Sequence, residues 1–230
     1  MEKLRSIQVL RGIAACGVVL LQARYTAPSD FNGSWTRLGA AGVDLFFVIS
    51  GFIIATISKP SPGRFLSDRF WRVMPLWWLV AIPWQLFVPF TWSSLAATLT
   101  LWPIYEEFTK PTLGVGWTLS FEALFYLSVA LTIRVGWRIP AVVFCLGLIG
   151  GLFSAGPTFD WIGNPIIFEF LFGVALARLP RDERFGLPLI ALALLLFALS
   201  PLDIYPWEIA IDASLSWLRV LFWGFPAALL

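Results

Sequence analysis

Long apolar segments alternate with short polar loops along the whole chain. Most of these segments reach roughly 17–20 residues, which is enough for a helix to cross a ~30 Å hydrocarbon core. The pattern therefore predicts an all-α fold, a polytopic transmembrane helix bundle with about eight spans. We place the spans at residues 7–24, 38–58, 72–90, 118–134, 140–155, 164–179, 186–200 and 214–230.

The charges in the loops predict how the bundle is oriented. With the eight spans in place, 11 Lys and Arg residues fall on one side of the membrane and three on the other. The positive-inside rule therefore predicts that both termini lie in the cytoplasm. The cytoplasmic set comprises Lys3, Arg5, Lys59, Arg64, Arg69, Arg72, Arg134, Arg138, Arg178, Arg181 and Arg184, and the opposite set comprises Arg24, Arg37 and Lys110.

Two stretches do not follow this alternation. Residues 92–103 are apolar but few, and the charges allow only one crossing between Arg72 and Glu106, so we predict an interfacial or re-entrant helix there. Residues 225–230 lie in an apolar run without the flanking charge that a last span usually has. One interpretation is a C-terminally truncated chain.

The composition excludes a soluble domain. Hydrophobic residues make up 59% of the 230 residues and charged residues 13%, whereas soluble domains carry about 25% charged residues. The chain contains no histidine, which removes the commonest metal ligand. We predict no metal site and expect no nucleic-acid partner. Cys16 and Cys145 both lie in apolar spans and are interpreted as packing residues.

Five ionisable residues lie inside the predicted spans, where an uncompensated charge is expensive. A plain scaffold would not keep so many, so they predict a polar cavity or channel within the bundle. They are Arg11, Asp44, Glu122, Glu169 and Arg219. A plausible ion pair among them is Glu169 with Arg219.

The second span carries Asp44 near its start, between Gly42 and Gly51. A carboxylate there could cap the helix N-terminus or pair with a nearby cation such as Arg37. The two glycines are predicted to allow close packing of helices.

Arg69 and Arg72 are three residues apart, so on a helix both guanidinium groups leave one face. Guanidinium groups bind phosphates through paired, charge-assisted hydrogen bonds. The two arginines are therefore either a phosphate-binding pair or a stop-transfer cluster that also binds anionic lipid headgroups.

Glu122 lies a few residues inside the fourth span, after Trp117 and Ser120. It shares a helix face with Tyr126, four residues later. Because a buried carboxylate must be paired or protonated, Glu122 is a candidate partner for Arg11 or a candidate general base.

Five ordered motifs make nearly the whole chain resemble the membrane-bound acyltransferase 3 family, bacterial enzymes that O-acylate polysaccharides, lipopolysaccharide and related cell-surface glycans. The motifs are LRGIAA with Arg11, GVDLFFVISGFII at 42–54, RFWRVMPLWW at 69–78, WTLSFEALFYL at 117–127 and NPIIFEFLFGVALA at 164–177. The resemblance implies one acyltransferase-like domain over residues 1–230, in a family that usually has about ten spans.

The resemblance also implies the chemistry and the location. Acyl-CoA from the cytoplasm would be a co-substrate, with no bound cofactor, and the acyl group, expected to be acetyl, would pass to a hydroxyl of a glycan or lipid-linked sugar. The protein would lie in the inner membrane among its lipids. Arg69 and Arg72 would hold the phosphates of coenzyme A, and Trp117, Ser120, Tyr126, Asp44 and Glu169 would belong to the polar cavity.

Arg11 matches the arginine of the family's catalytic pair, but the position of its histidine partner holds Gln22. Glutamine can orient a hydroxyl but cannot titrate, and loss of a general base typically removes ~100- to 10,000-fold of rate. The chain is then an inactive or altered homologue, or Glu122 is the base, or catalysis relies on positioning and polarisation. Alternatives to an enzyme are a glycan or lipid transporter with a polar cavity and a structural partner of another membrane complex.

Overall fold

The computed structural model describes residues 2–26, 39–57, 61–103, 111–153, 155–179, 186–200 and 217–230. Within these ranges the chain is almost entirely helical and contains no strand, which confirms the all-α membrane bundle. The helices are α1 (Glu2–Thr26), α2 (Ala41–Thr56), α3 (Pro62–Trp84), α4 (Trp92–Thr100), α5 (Gly116–Val135), α6 (Arg138–Leu152), α7 (Pro157–Ile162), α8 (Ile167–Leu176), α9 (Gly186–Leu199) and α10 (Trp217–Leu229).

Seven of the eight predicted spans coincide with apolar helical stretches. Three of these, Ser6–Ala23, Gly116–Val135 and Pro157–Leu176, are long and apolar enough to cross a membrane. The helices α2, α6, α9 and α10 are shorter and also apolar. The expected single domain and the cytoplasmic termini stay predictions.

The third predicted span, 72–90, is wrong at both ends. Helix α3 begins at Pro62, because the side chain of Ser61 accepts a hydrogen bond from the backbone N–H of Arg64 and proline suits a first helical position. The helix ends at Trp84 and is followed by a 3-10 turn. The first half of α3 therefore contains charged residues that lie before the predicted span or at its first position.

The sixth predicted span, 164–179, begins at a break between two helices. Helix α7 ends at Ile162 and α8 begins at Ile167, so Asn164 and Pro165 lie between two helices. Proline restricts the residue before it to extended conformations, which explains the break. Helix α7 was missed because the residues around it are too polar and too few for a span.

The short helix expected within residues 92–103 is confirmed as α4. It has nine residues, so it is about 13 Å long and too short to cross a membrane. The indole N–H of Trp77 donates to the carbonyl of Thr98 at 2.7 Å, and that of Trp78 to Leu99 at 3.0 Å. These two bonds hold the C-terminal end of α4 against α3.

The helices form two compact units. The terminal unit, Met1–Ile57 with Pro165–Leu230, contains α1, α2, α8, α9 and α10. The central unit, Ser58–Asn164, contains α3 to α7.

Glycines bring the helices of the terminal unit into backbone contact, as predicted for Gly42 and Gly51. A Cβ atom on Gly51 would lie 2.0 Å from the carbonyl oxygen of Phe170, and one on Gly173 would lie 1.9 Å from that of Val48. Helices α2 and α8 therefore pack through small residues, which is how membrane helices approach each other closely. Gly42 allows a similar approach of α2 to Ala14 of α1.

We expect Gly51→Ala to lower the stability of the protein by about 3 kcal/mol, because rigid backbone cannot move away from the added methyl group. The matched control is Gly12→Ala, whose Cβ would meet nothing within 4 Å. Thermal unfolding in one detergent, followed by size-exclusion chromatography, compares the two. Equal melting temperatures would contradict the close packing of α2 and α8.

Candidate functional site

The central unit contains a cavity of about 450 Å³ between α3, α5 and the end of α4. The wall residues of α3 and of α5 recur at intervals of three and four, so each set forms one face of its helix. Because of this spacing, one face of α3 and one face of α5 together line a single cavity. The wall consists of Leu66, Arg69, Phe70, Val73, Met74, Leu99, Thr100, Leu101, Leu119, Glu122, Ala123, Tyr126 and Leu127.

Arg69 is the cation of this cavity. Its guanidinium lies over the rings of Phe65, at 5.5 Å, and Tyr126, at 5.7 Å from their centroids. Such cation–π contacts fix the position of a guanidinium without neutralising its charge. Its Nε atom is buried and has no hydrogen-bond partner among the described residues. Arg69 is therefore placed to receive an anionic group from outside the protein.

Tyr126 and Glu122 form the second polar element of the cavity. The phenol of Tyr126 donates a short hydrogen bond to Oε1 of Glu122. This confirms the shared helix face that their spacing predicted. The bond orients the carboxylate, which makes further contacts as well. A carboxylate held in a mostly apolar cavity is suited to accept a proton from a substrate hydroxyl.

Three other predicted site residues of this unit do not line the cavity. Arg72 is exposed, although its charge acts on Tyr126. Ser120 is buried and its hydroxyl donates to the carbonyl of Gly116 at 3.4 Å, within its own helix. Trp117 is buried with its ring 6.1 Å from that of Phe121. Of the two predicted donor-binding arginines, the structure therefore places only Arg69 at the cavity.

The terminal unit holds a separate, fully buried charge cluster around Arg219. Its Nε atom donates to Oδ1 of Asp44 at 2.8 Å and its Nη2 atom to Oδ2 at 2.7 Å. Nη2 also lies 3.3 Å from the carbonyl oxygen of Ala40, and the guanidinium packs 5.2 Å from the ring of Trp223. Asp44 is thus the partner of Arg219 rather than a helix cap, and Arg37 lies outside the described residues.

Glu169 belongs to the same cluster but is not the direct partner of Arg219. It is fully buried and its carboxyl group interacts electrostatically with both Asp44 and Arg219. No donor among the described residues hydrogen-bonds its two oxygens. The π-helical segment of α10 brings Gly224 so close that a Cβ there would lie 2.6 Å from Oε1. The predicted Glu169–Arg219 pair is therefore corrected to an Asp44–Arg219 pair with Glu169 beside it.

Arg11 and Gln22 both lie on α1, as predicted. Eleven residues make about three turns and about 16 Å, so the two side chains leave the same side of the helix. Arg11 is half-buried and Gln22 is exposed. The predicted pairing of Arg11 with Glu122 stays a prediction.

Sequence reasoning missed the aromatic support of Arg69 and the partner of Asp44. Phe65 lies four residues before Arg69, a helical spacing that could have indicated the contact. Asp44 and Arg219 are separated by 175 residues, and no local signal joins them. Within the described ranges no group of three or more Cys, Asp or Glu residues is placed to hold a metal ion.

The chain is similar to one known protein family and to several known proteins. The model of the family described as "Acyltransferase domain" matches residues 4–230. The exopolysaccharide production protein ExoZ of Rhizobium meliloti (strain 1021) is 36% identical, over 75% of this chain and 60% of the relative. The acyltransferase MdmB of Streptomyces mycarofaciens is 27% identical, over 85% and 62%.

A third relative is nodulation protein 10 of Rhizobium leguminosarum bv. viciae, 27% identical over 58% of this chain and 45% of the relative. The chain spans about 60% of the length of the first two curated relatives. No solved structure matches the chain.

We expect Arg219→Gln to cost about 3–5 kcal/mol of stability, because it leaves two buried carboxyl groups without a cation. Asp44→Asn is expected to cost less, since Glu169 remains beside Arg219. Arg178→Gln, at an exposed arginine of the same unit, is the control. Thermal unfolding of the three variants in one detergent gives the order of their stabilities. A larger loss of stability for Asp44→Asn than for Arg219→Gln would contradict the arrangement of two carboxyl groups around one cation.

Proposed function

The chain belongs to the acyltransferase family, and on that basis we propose that it transfers an acyl group from acyl-CoA to a hydroxyl of a cell-surface carbohydrate. The cavity of the central unit carries this proposal, because its lining combines a cation with no acidic partner among the described residues, an oriented carboxylate and an apolar surface. The name of ExoZ, an exopolysaccharide production protein, supports a carbohydrate acceptor.

Arg69 would bind a phosphate of the donor. Its guanidinium is held by aromatic rings, and the buried Nε–H is left to donate to the ligand. A phosphate would supply the acceptor atoms that this side chain lacks. Arg72, exposed on the same helix, would add its charge to the more solvated part of coenzyme A.

Glu122 would act as the general base, in place of the absent histidine. It would take the proton of the acceptor hydroxyl while that oxygen attacks the thioester carbonyl carbon. The tetrahedral intermediate would then expel the thiolate of coenzyme A, which takes up the proton that Glu122 received from the hydroxyl. Ester and free thiol are the products, and the phenol of Tyr126 would hold the carboxylate in place.

By the family resemblance, Arg11 and Gln22 of the terminal unit would also act in the reaction. The amide of Gln22 can orient a hydroxyl by hydrogen bonding, although it cannot accept the proton permanently. The protein would lie in the inner membrane. Arg69 and Arg72 would face the cytoplasm, because the positive-inside rule places the side with more Lys and Arg residues there.

The buried cluster of Asp44, Glu169 and Arg219 favours a second candidate function. Ionisable groups inside a membrane commonly mark transport pathways, so the chain would then be an inactive homologue that carries a glycan or lipid. That candidate requires flux that depends on these three residues and no acyl transfer.

Glu122→Gln is expected to lower the rate of acyl transfer about 100- to 10,000-fold while leaving donor affinity within a few fold, because the amide keeps the shape but not the basicity. Transfer of labelled acyl groups from acyl-CoA to membrane glycans measures the rate. Asp68→Asn, at an exposed carboxylate of α3, is the matched control. An unchanged rate in Glu122→Gln would remove Glu122 from the mechanism.

Gln22→His should raise the transfer rate at least about tenfold, because a general base contributes roughly 100-fold or more where geometry permits. The same labelled-donor assay measures it, with Gln8→His, at an exposed glutamine of α1, as control. No transfer by the unmodified protein or by Gln22→His, together with flux that depends on Arg219, would favour the transporter instead.

A further inference from the structure

The buried cluster of the terminal unit contains two carboxyl groups but one cation. Asp44, Glu169 and Arg219 are each fully buried. Among the described residues, the ionisable groups that act on Glu169 are Asp44 and Arg219. With both carboxyl groups ionised, the cluster would hold one negative charge in excess. An uncompensated buried charge is so costly that such a group is neutralised by a proton instead.

The two carboxyl groups are neighbours across the contact of α2 with α8. Phe47, one turn after Asp44, stacks on Phe170 with 4.5 Å between the ring centroids. Glu169 directly precedes Phe170, and its side chain is within hydrogen-bonding reach of Asp44. Two ionised carboxylates offer acceptors only and repel each other. A hydrogen bond between these two groups therefore requires a proton on one of them.

The donors of Arg219 decide which carboxyl group carries that proton. Asp44 accepts from Nε at 2.8 Å with one oxygen and from Nη2 at 2.7 Å with the other. Such charge-assisted, paired hydrogen bonds suit a carboxylate. The two oxygens of Glu169 have no donor among the described residues. A proton on Glu169 removes its charge and lets its hydroxyl donate to Asp44.

The backbone of α10 leaves space for this acid. The π-helical segment Val220–Gly224 brings Gly224 against Glu169, where a Cβ atom would lie 2.6 Å from Oε1. Short π-helical segments occur frequently at functional sites. The packing around position 169 therefore accommodates a carboxyl group at a place where an apolar side chain would bring no charge into the membrane.

We propose that Asp44 and Glu169 form a proton-binding site, in which the two carboxyl groups share one proton and Arg219 is their common cation. The bound proton makes the cluster neutral and joins α8 to α2 through a hydrogen bond between side chains. Loss of the proton leaves one excess negative charge among α2, α8 and α10, so occupancy of the site controls how tightly these helices pack. The inference is independent of the proposed acyl transfer.

Infrared difference spectra of the protein in nanodiscs test the site, because a protonated carboxyl group has a C=O stretching band separate from those of carboxylates. The unmodified protein should show this band, and Glu169→Gln should lose it. Asp44→Asn should lose it as well, because Glu169 then becomes the carboxylate partner of Arg219 and releases its proton. Asp68→Asn, at an exposed carboxylate of α3, is the control and should keep the band.

Two spectra would overturn the inference. If the unmodified protein and Glu169→Gln do not differ in this band, Glu169 is ionised and no proton is bound. If the band remains in Asp44→Asn, the proton belongs to Glu169 alone and the site is not shared.

Thermal unfolding in one detergent gives an independent readout. Glu169→Gln should melt close to the unmodified protein, since a neutral amide replaces a neutral acid and can still donate to Asp44. A clear rise in melting temperature would mean that an excess negative charge had been removed, and would overturn the inference. Arg178→Gln, at an exposed arginine of the same unit, is the control and should change nothing.

The double variant Asp44→Asn with Glu169→Gln tests whether the two carboxyl groups replace each other. It should melt far below Asp44→Asn, because Arg219 is left without any carboxylate. Equal melting temperatures of the double variant and Asp44→Asn would show that Glu169 does not take over as the partner of Arg219, and would overturn the shared site.

Discussion

The double hydrogen bond between Arg219 and Asp44 is the interaction on which the terminal unit depends. Both side chains are fully buried, and a charge in an apolar environment is tolerated only with a partner of good geometry. The bond ties α10 to α2, whose glycines in turn bring α8 into backbone contact. Because Glu169 on α8 faces the same guanidinium, one cation specifies how three helices meet.

Arg69 of the central unit has a different environment from Arg219. Arg69 rests on two aromatic rings, and its buried Nε–H has no hydrogen-bond partner among the described residues. A cation that served only stability would be expected to find a carboxylate, as Arg219 does. We therefore interpret the guanidinium of Arg219, paired with a carboxylate, as structural, and that of Arg69, supported by aromatic rings, as a candidate for ligand binding.

The sequence predicted the class of fold well, because the lengths of apolar runs depend on local composition alone. It also predicted the packing role of Gly42 and Gly51 and the shared face of Glu122 and Tyr126, which follow from helical geometry. The sequence did not predict the start of α3, which the helix cap at Ser61 determines. It also did not predict contacts between segments that are distant in the chain. The wrong partner of Arg219 is an error of this second kind. The sequence predicted Glu169 and the structure shows Asp44, and only the packing of the helices distinguishes the two carboxyl groups.

Gln22 stands where the family resemblance places a histidine, and this has a physical consequence for the proposed reaction. An ester-forming reaction must still move a proton from the acceptor hydroxyl to the leaving thiolate, and glutamine cannot hold it. Of the described residues that line the cavity, Glu122 is the one carboxylate, and the phenol of Tyr126 orients it. Tyr126 and Arg69 are poor bases, so Glu122 is the candidate base among the described residues that line the cavity. In the proposed mechanism the proton transfer is therefore assigned to Glu122 of α5.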